Sequence, residues 1–424
     1  VWTGDGQQNF ETVLAAFEEL TGASVQFFST GDDIATIVGT QIEGGNPPDI
    51  ALLPQPGLLV EFGRRGALHS IEEFAGDLVD ANYAQAWREL GTVDGELYGV
   101  WLKAANKSLL WYNADILAAA GVEPPTTWDE FVEAAQTVFD FGVTPISVAG
   151  GDGWTLTDWF ENVYLRSAGA DLYDQLTNHE IAWTDASVKE ALGYLAQIWR
   201  HEWLANGLQG TLEAGFPVGT VQPFLDTPTA AFAYGADFSA GVIAADTNAE
   251  LGTTARFVAF PSVAGSGPAV VGGGDVAVLF TDNDAAVQLM RFLATPEAAE
   301  VWAALGGYTS PNQGVDVSVY PDEVLQQSAA ALQEAEVFRF DMSDLQPAAF
   351  GGTSGQGMWG LLVEFLQHRD VELAAFQLET EAEAEEDPVD VVPDVAVQRA
   401  AKKTSIGGQA LIEGLMMLGP DKQA

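Results

Sequence analysis

The sequence predicts an α/β protein of two lobes, each a mainly parallel sheet flanked by helices. Three observations carry that prediction. Short apolar runs alternate with amphipathic stretches from the N-terminus onward, and two extended aromatic-rich segments, 98–102 and 108–112, lie close together and read as a crossing between lobes. The chain has 424 residues, 47% hydrophobic and 10% aromatic, enough for two or three domains with large packed cores.

Val1-Trp2-Thr3 reads as the end of a strand entering Gly4-Asp5-Gly6, after which Phe10, Val13, Leu14 and Phe17 recur at the period of a one-faced helix. Val25-Gln26-Phe27-Phe28 is a second strand, 34–42 a second helix, and Asp49-Ile50-Ala51-Leu52-Leu53 a buried strand after the breaker Asn46-Pro47-Pro48. Such alternation implies parallel strands, since a parallel neighbour is reached through a crossover helix that covers the sheet. Thr127-Trp-Asp-Glu130 is a capping box: hydroxyl and carboxylate, three residues apart, satisfy free N–H groups at a helix start. Phe131, Ala134, Ala135, Val138 and Phe139 give that helix its buried face. Segments 154–166 and 185–203 are helical by period, and 230–234 and 256–260 are strands. The Gly- and Pro-rich stretch 261–274 leads to a strand at 276–280, then to two helices divided at Thr295-Pro296. A last helix, 356–368, carries Trp359, Leu362, Val363 and Leu366 on one face. Beyond it, the charge run 379–387 followed by Pro388 and Pro393 reads as a self-repelling linker.

Charge narrows the partners. With 16 Lys+Arg against 61 Asp+Glu the formal charge is −45, of which residues 1–370 carry −38, so acidity belongs to the folded body. Nucleic acid and anionic membranes would repel such a surface. The chain has no cysteine, hence no disulfides or thiolate metal sites, and no apolar run long enough to span a bilayer. Its opening residues lack an initiating Met, a basic segment and an apolar signal region, and read as a processed or truncated N-terminus.

Common catalytic signatures do not occur. His69, His179, His201 and His368 have no metal-ligand spacing, and His201-Glu202 lacks the second histidine of a zinc protease helix. There is no Gly-x-Ser-x-Gly elbow and no phosphate loop, and Gly4-Asp5-Gly6 fails as a dinucleotide fingerprint because position 9 is Asn. No metal or cofactor is expected. Carboxylates are so abundant that a paired-carboxylate hydrolase stays open as the alternative.

The order of several motifs resembles family 1 of the extracellular solute-binding proteins, the carbohydrate-binding receptors of ABC importers related to maltose-binding protein. The motifs are Thr21-Gly22, Gly44-Gly45-Asn46-Pro47-Pro48-Asp49-Ile50, Lys107-Ser-Leu-Leu-Trp-Tyr-Asn113, Pro124-Pro-Thr-Thr-Trp-Asp-Glu-Phe131, Gly272-Gly-Gly-Asp275, Ala294-Thr-Pro-Glu-Ala-Ala299, Gly306-Gly-Tyr-Thr-Ser-Pro-Asn312 and Phe338-Arg-Phe-Asp-Met-Ser-Asp344. The resemblance implies a type II periplasmic-binding-protein-like fold, a hinge of crossing strands, and closure on a sugar or oligosaccharide in the interlobe cleft. It implies delivery to ABC permease subunits by a monomeric, non-enzymatic receptor outside the cytoplasmic membrane, lipid-anchored through a removed N-terminal segment. On this pattern the N-lobe comprises 1–112 and 262–314, the C-lobe 113–261 and 315–370, and 371–424 an acidic linker and tail expected to be disordered.

The same pattern nominates ligand-binding residues. In the first lobe they are Asp32 and Asp33 at a helix start, Gln55 after the third strand, and Trp101 and Lys103 near the crossing; the two aspartates could instead simply favour the helix dipole, at about 0.3–1 kcal/mol each. In the second lobe Trp154 and Asp158 lie one helical turn apart, a stacking platform and a hydroxyl acceptor, with Trp159 turned to the core. Gly273, Gly274 and Asp275 read as a backbone-exposing loop at a strand start or a plain tight turn. Arg339 is a carboxylate clamp for a sugar or for Asp341 or Asp344, and Tyr234, Asp237 and Asn312 complete the set. Residues 403–424 resemble the opening of a bacterial membrane-protein family of the YqhQ type, as a fusion or readthrough would produce.

Overall fold

The computed structural model describes residues 2, 4–321, 323–334 and 337–386, with the backbone alone at Asp32, Ala86, Glu323, 331–334 and Glu386. Two mixed sheets organise it. The first contains β1 (Ile50–Leu53); a hairpin of β2 (Thr92–Val93) and β3 (Glu96–Leu97) stands beside it, and β4 (Gly99–Asn106) follows. The second is built from β5 (Leu109–Asn113), β6 (Ile146–Ser147), β7 (Phe232–Gly235) and β8 (Ala255–Ala259), in the order β6-β7-β5-β8. The chain then returns through β9 (Ala269–Leu279) to the first sheet, joined later by β10 (Val337–Phe340).

β9 is the spine of the first sheet. β1 runs antiparallel to it (Ile50 opposite Leu279), as does β4 (Gly99 opposite Val278, Asn106 opposite Gly272), and β10 runs parallel (Val337 opposite Ala269). In the second sheet β5 is antiparallel to β7 and β8, and β6 is parallel to β7. The expectation of mainly parallel sheets is therefore corrected: among the described ladders five are antiparallel and two parallel. Alternation of side chains has period two in either direction, so it marks a strand without orienting it. Trp2 and 25–28, expected as strands, form no ladder, and the first helix, Gly4–Thr21, begins inside the expected loop. Gly272-Gly-Gly-Asp275, expected as a loop, lies inside β9.

Buried apolar side chains form two clusters, and β5 divides them by its pleat: Leu109 and Trp111 join one, Leu110 and Tyr112 the other. The first cluster gathers Phe10, Val13, Leu14 and Phe17 of the opening helix around β1, β4 and β9. The second packs the helices Trp128–Phe141, Trp154–Ala168 and Ala186–Ile198 on the other face. Trp128–Phe141 starts as the sequence dictates. Thr127 Oγ accepts from Glu130 N–H at 3.3 Å while the Glu130 carboxylate accepts from Thr127 N–H at 3.1 Å.

Residues 371–386, expected as part of the linker, form the helix Val371–Glu386, with Ala374, Ala375, Leu378 and Ala382 buried in the second cluster. Residues 387–424, including the YqhQ-like stretch, lie outside the described residues. No helix among the described residues is long and apolar enough to cross a membrane.

Candidate functional site

The site forms where strands pass between the two sheets. β4 shifts register between Trp101 and Lys103, and such an irregularity re-aims the side chain that follows it. Lys103 Nζ lies 4.6 Å from the centre of the Phe238 ring and 5.9 Å from that of Trp302. Four residues on, Lys107 Nζ lies 5.6 Å from the Trp154 ring. Trp154 is 5.1 Å from Phe216 and 6.4 Å from Phe238, which is itself 5.3 Å from Phe216. Three half-buried rings thus make an apolar surface bounded by two ammonium groups.

Carboxylates surround the lysines. Asp237 and Asp275 are the acidic neighbours of Lys103, and they offset only part of the burial that pulls its pKa below the ordinary lysine value. Burial raises Asp237, against hydrogen bonds to one of its oxygens from Thr309 Oγ at 2.8 Å and Ser328 Oγ at 3.1 Å. Its other oxygen, Oδ1, has no partner among the described residues. Trp2 Nε1 donates to Asp275 Oδ2 at 2.9 Å.

Lys107 sits among three acids: Asp341 at 2.5 Å, Asp158 at 3.2 Å and Asp344 at 3.5 Å. All four are buried. Burial opposes the Lys107 charge, but the carboxylates outweigh it and hold the pKa well above the ordinary value. Burial likewise opposes the Asp341 charge, and Lys107 together with hydrogen bonds from Asp158 and Ser343 drives that carboxyl well below its usual range. Burial raises Asp158 and Asp344, with the Asp341 charge adding to it. The cluster is one ion pair, Lys107 with Asp341, flanked by two carboxyls biased toward the neutral acid.

The nearby glycines have a steric reason. A Cβ on Gly273 would lie 2.7 Å from Lys107 Cε, and one on Gly274 would meet the Lys103 carbonyl oxygen. β9 can pass against the lysine-bearing strand only without side chains there.

Of the nominated residues, Lys103, Trp154, Asp158, Asp237, Gly273, Gly274 and Asp275 come together here. Trp101 is buried against Trp87 and Phe340 instead. Asn312 donates to the Ala294 carbonyl and accepts from Gly314 N–H, while Tyr234 donates to the Lys107 carbonyl. Gln55 precedes the helix Pro56–Arg64 and is buried against Gly352. Asp33 is exposed in the short 3-10 turn Gly31–Asp33, and the Asp32 side chain lies outside the described atoms. Arg339 makes a two-point ion pair with Asp174, at 2.5 and 2.7 Å, and not with Asp341 or Asp344, which Lys107 holds.

Sequence reasoning missed Phe216, Phe238 and Lys107. The scarcity of lysine, at six positions in the chain, was the signal for Lys107; the two phenylalanines are brought in by tertiary packing alone. Among the described residues no group of three or more His, Asp or Glu side chains is disposed to hold a metal ion.

Comparisons with known proteins agree with this architecture. Residues 3–300 match the bacterial extracellular solute-binding protein family. The chain is 37% identical over 366 residues to the osmoprotective compounds-binding protein GgtB of Synechocystis sp., covering 84% of this chain and 86% of that one. It is 31% identical over 380 residues to the alpha-glucosides-binding periplasmic protein AglE of Rhizobium meliloti, covering 86% and 82%. Solved structures with the same fold include the bacterial solute receptor AcbH (TM-score 0.78, 19% identity, 92% of this chain and 97% of that one). A chitin oligosaccharide binding protein superposes equally well (TM-score 0.78, 19% identity, 90% and 95%). The chain belongs to the bacterial extracellular solute-binding protein family.

Proposed function

We propose that the protein captures a neutral, hydroxyl-rich solute of the α-glucoside or related osmoprotective class and delivers it to the permease of an ABC importer. The observation that carries the reading is the surface of Trp154, Phe216 and Phe238 beside Lys103 and Asp237. Pyranose rings present apolar C–H faces and a rim of hydroxyls, so flat aromatic walls edged by charged hydrogen-bonding groups complement them. The names of the two curated relatives point the same way. The buried acids near Lys107 are committed to an ion pair and to hydrogen bonds within the protein, which suits a receptor and not a hydrolase. The receptor works outside the cytoplasmic membrane as a monomer held to it by a lipid anchor.

Calorimetric titration with a panel of α-glucosides, other oligosaccharides and polyols tests this. Binding is expected for at least one member, with a negative heat-capacity change. Trp154→Ala is expected to weaken it about tenfold or more, the scale of one lost aromatic contact. Silence across the panel would remove the sugar assignment.

A further inference from the structure

Every residue from Thr155 to Arg166 in the helix Trp154–Ala168 is buried, yet four of them are Asp158, Glu161, Asn162 and Arg166. Their spacing places them along one face. That face meets all three segments that pass between the sheets. At the first, 106–109, Asn162 Nδ2 donates to the Lys107 carbonyl at 2.7 Å and Ser108 Oγ lies 2.6 Å from Asn162 Oδ1. At the second, the start of β9, Arg166 Nη2 donates to the Ala269 carbonyl at 2.5 Å. At the third, after β10, the Glu161 carboxylate accepts from Met342 N–H at 2.7 Å and Ser343 N–H at 2.9 Å.

The crossings are also tied to one another. Lys107 N–H donates to the Val271 carbonyl at 2.9 Å, Val271 N–H to Ser108 Oγ at 2.8 Å, and Asp341 N–H to the Gly272 carbonyl at 2.7 Å. Buried polar groups satisfied to this degree resist rearrangement, because breaking one bond strands both partners away from water. Side-chain anchoring of this kind stops in β9 at Gly273 and Gly274, which carry no side chain of their own and pair with Ala105 and Ala104 of β4; the register shift of β4 lies just beyond, between Trp101 and Lys103 opposite Val276 and Asp275.

We propose that this face of the helix is the fixed anchor of the hinge, fastening all three crossings to the second sheet, so that lobe closure bends β4 at Lys103–Asn106 and β9 at Gly273–Gly274. Trp154 opens the same helix, and the solute that rests on it acts directly on the anchored side. Asn162, which touches both Lys107 and Ser108, is a positioning residue. The proposal rests on the reading of the chain as a solute receptor that closes, and its test separates the two.

Hydrogen exchange resolved by residue is the measurement, first on the free protein and then with maltose, sucrose and trehalose as α-glucoside probes. In the free protein the amides of Lys107, Val271, Met342 and Ser343 are expected to exchange about a hundredfold more slowly than those of Gly273, Gly274 and Ala105. Asn162→Ala, and the milder Ser108→Ala should the first not fold, is expected to speed exchange at Lys107 and Val271 about tenfold or more while far-ultraviolet circular dichroism is unchanged. Crossing amides that exchange as fast as Gly273 and Gly274, or that ignore both substitutions, overturn the anchor even if no probe binds. With a bound probe, protection should rise at 273–275 and 103–106 and stay level at the crossings; an equal rise at both places the bend within the crossings and also overturns it. If no probe binds, these three α-glucosides are excluded as the solute and the free-protein comparison still decides the anchor.

Discussion

At Lys107 three carboxylates compete for one ammonium, and their unequal surroundings make the substitutions there unequal. Asp341→Asn keeps the side-chain oxygen that caps Asp344 N–H but removes the charge facing Lys107, leaving a buried ammonium without its ionised partner. A loss of about 3–5 kcal/mol at pH 7 is expected by chemical denaturation. Asp158→Asn, an amide in place of a carboxyl already biased toward its neutral form, is expected to preserve or raise stability at that pH. The pH dependence follows from the direction of the shift. A carboxyl whose folded pKa is raised contributes stability that is present below its unfolded value and lost as pH rises through the folded one. Stability should therefore fall as pH rises from the ordinary carboxylate value toward the raised folded one, and Asp158→Asn should remove up to one proton from that slope, about 1.4 kcal/mol per pH unit. An unchanged slope would refute the assignment of the neutral acid. Asp341 has the opposite sign, its contribution being lost only in strong acid, below the ordinary carboxylate range. None of this was legible in the sequence, where Asp158, Asp341 and Asp344 are three acids among 61.

Elements were legible where their signals are local. The capping box at Thr127 and the buried stripe after it place the helix Trp128–Phe141 with no tertiary knowledge. The helix Val371–Glu386 was hidden by its own charge: glutamates dominate 379–386, and the stripe beneath them is mostly alanine, too weakly apolar to show as a period. Burial makes that stripe matter. Leu378 and Ala382 continue it into the acidic stretch, Glu379 accepts from Trp183 N–H at 2.5 Å, and Lys189 pairs with Glu372 at 2.6 Å. A chain ending at Asp370 is expected to be less stable than one ending at Glu386 by at least about 2 kcal/mol, the scale of a single buried leucine. Equal denaturation midpoints would show that this helix adds nothing to the second cluster. Strand direction was illegible for a different reason, since it is fixed by which distant segment β9 returns to meet.

For the molecule as a whole, the imbalance of 61 acidic against 16 basic residues sets how stability answers to salt. Lys103, Lys107 and Arg166 are buried, but so are Asp158, Glu161, Asp237, Asp275, Asp341 and Asp344, so the outer surface keeps nearly all of the acidic excess. Most of the ion pairs that remain outside are exposed, such as Arg64 with Asp94 and Arg291 with Asp77, and exposed pairs contribute about 0–1 kcal/mol each. Salt weakens those pairs and the carboxylate repulsion together. Repulsion is summed over many unpaired charges and opposes the compact state, so its relief dominates. The Debye length shrinks from about 10 Å at 0.1 M to about 3 Å at 1 M, which removes most interactions between neighbouring surface charges. The melting midpoint is expected to climb by several degrees over that range, equally in NaCl and KCl, because screening depends on ionic strength and not on the cation. The buried Lys107–Asp341 pair lies beyond the reach of screening, so the loss caused by Asp341→Asn should be the same at both ends of the salt range. A midpoint that falls with salt would mean that the exposed pairs outweigh the repulsion. A rise specific to one cation would point to ion binding instead of screening.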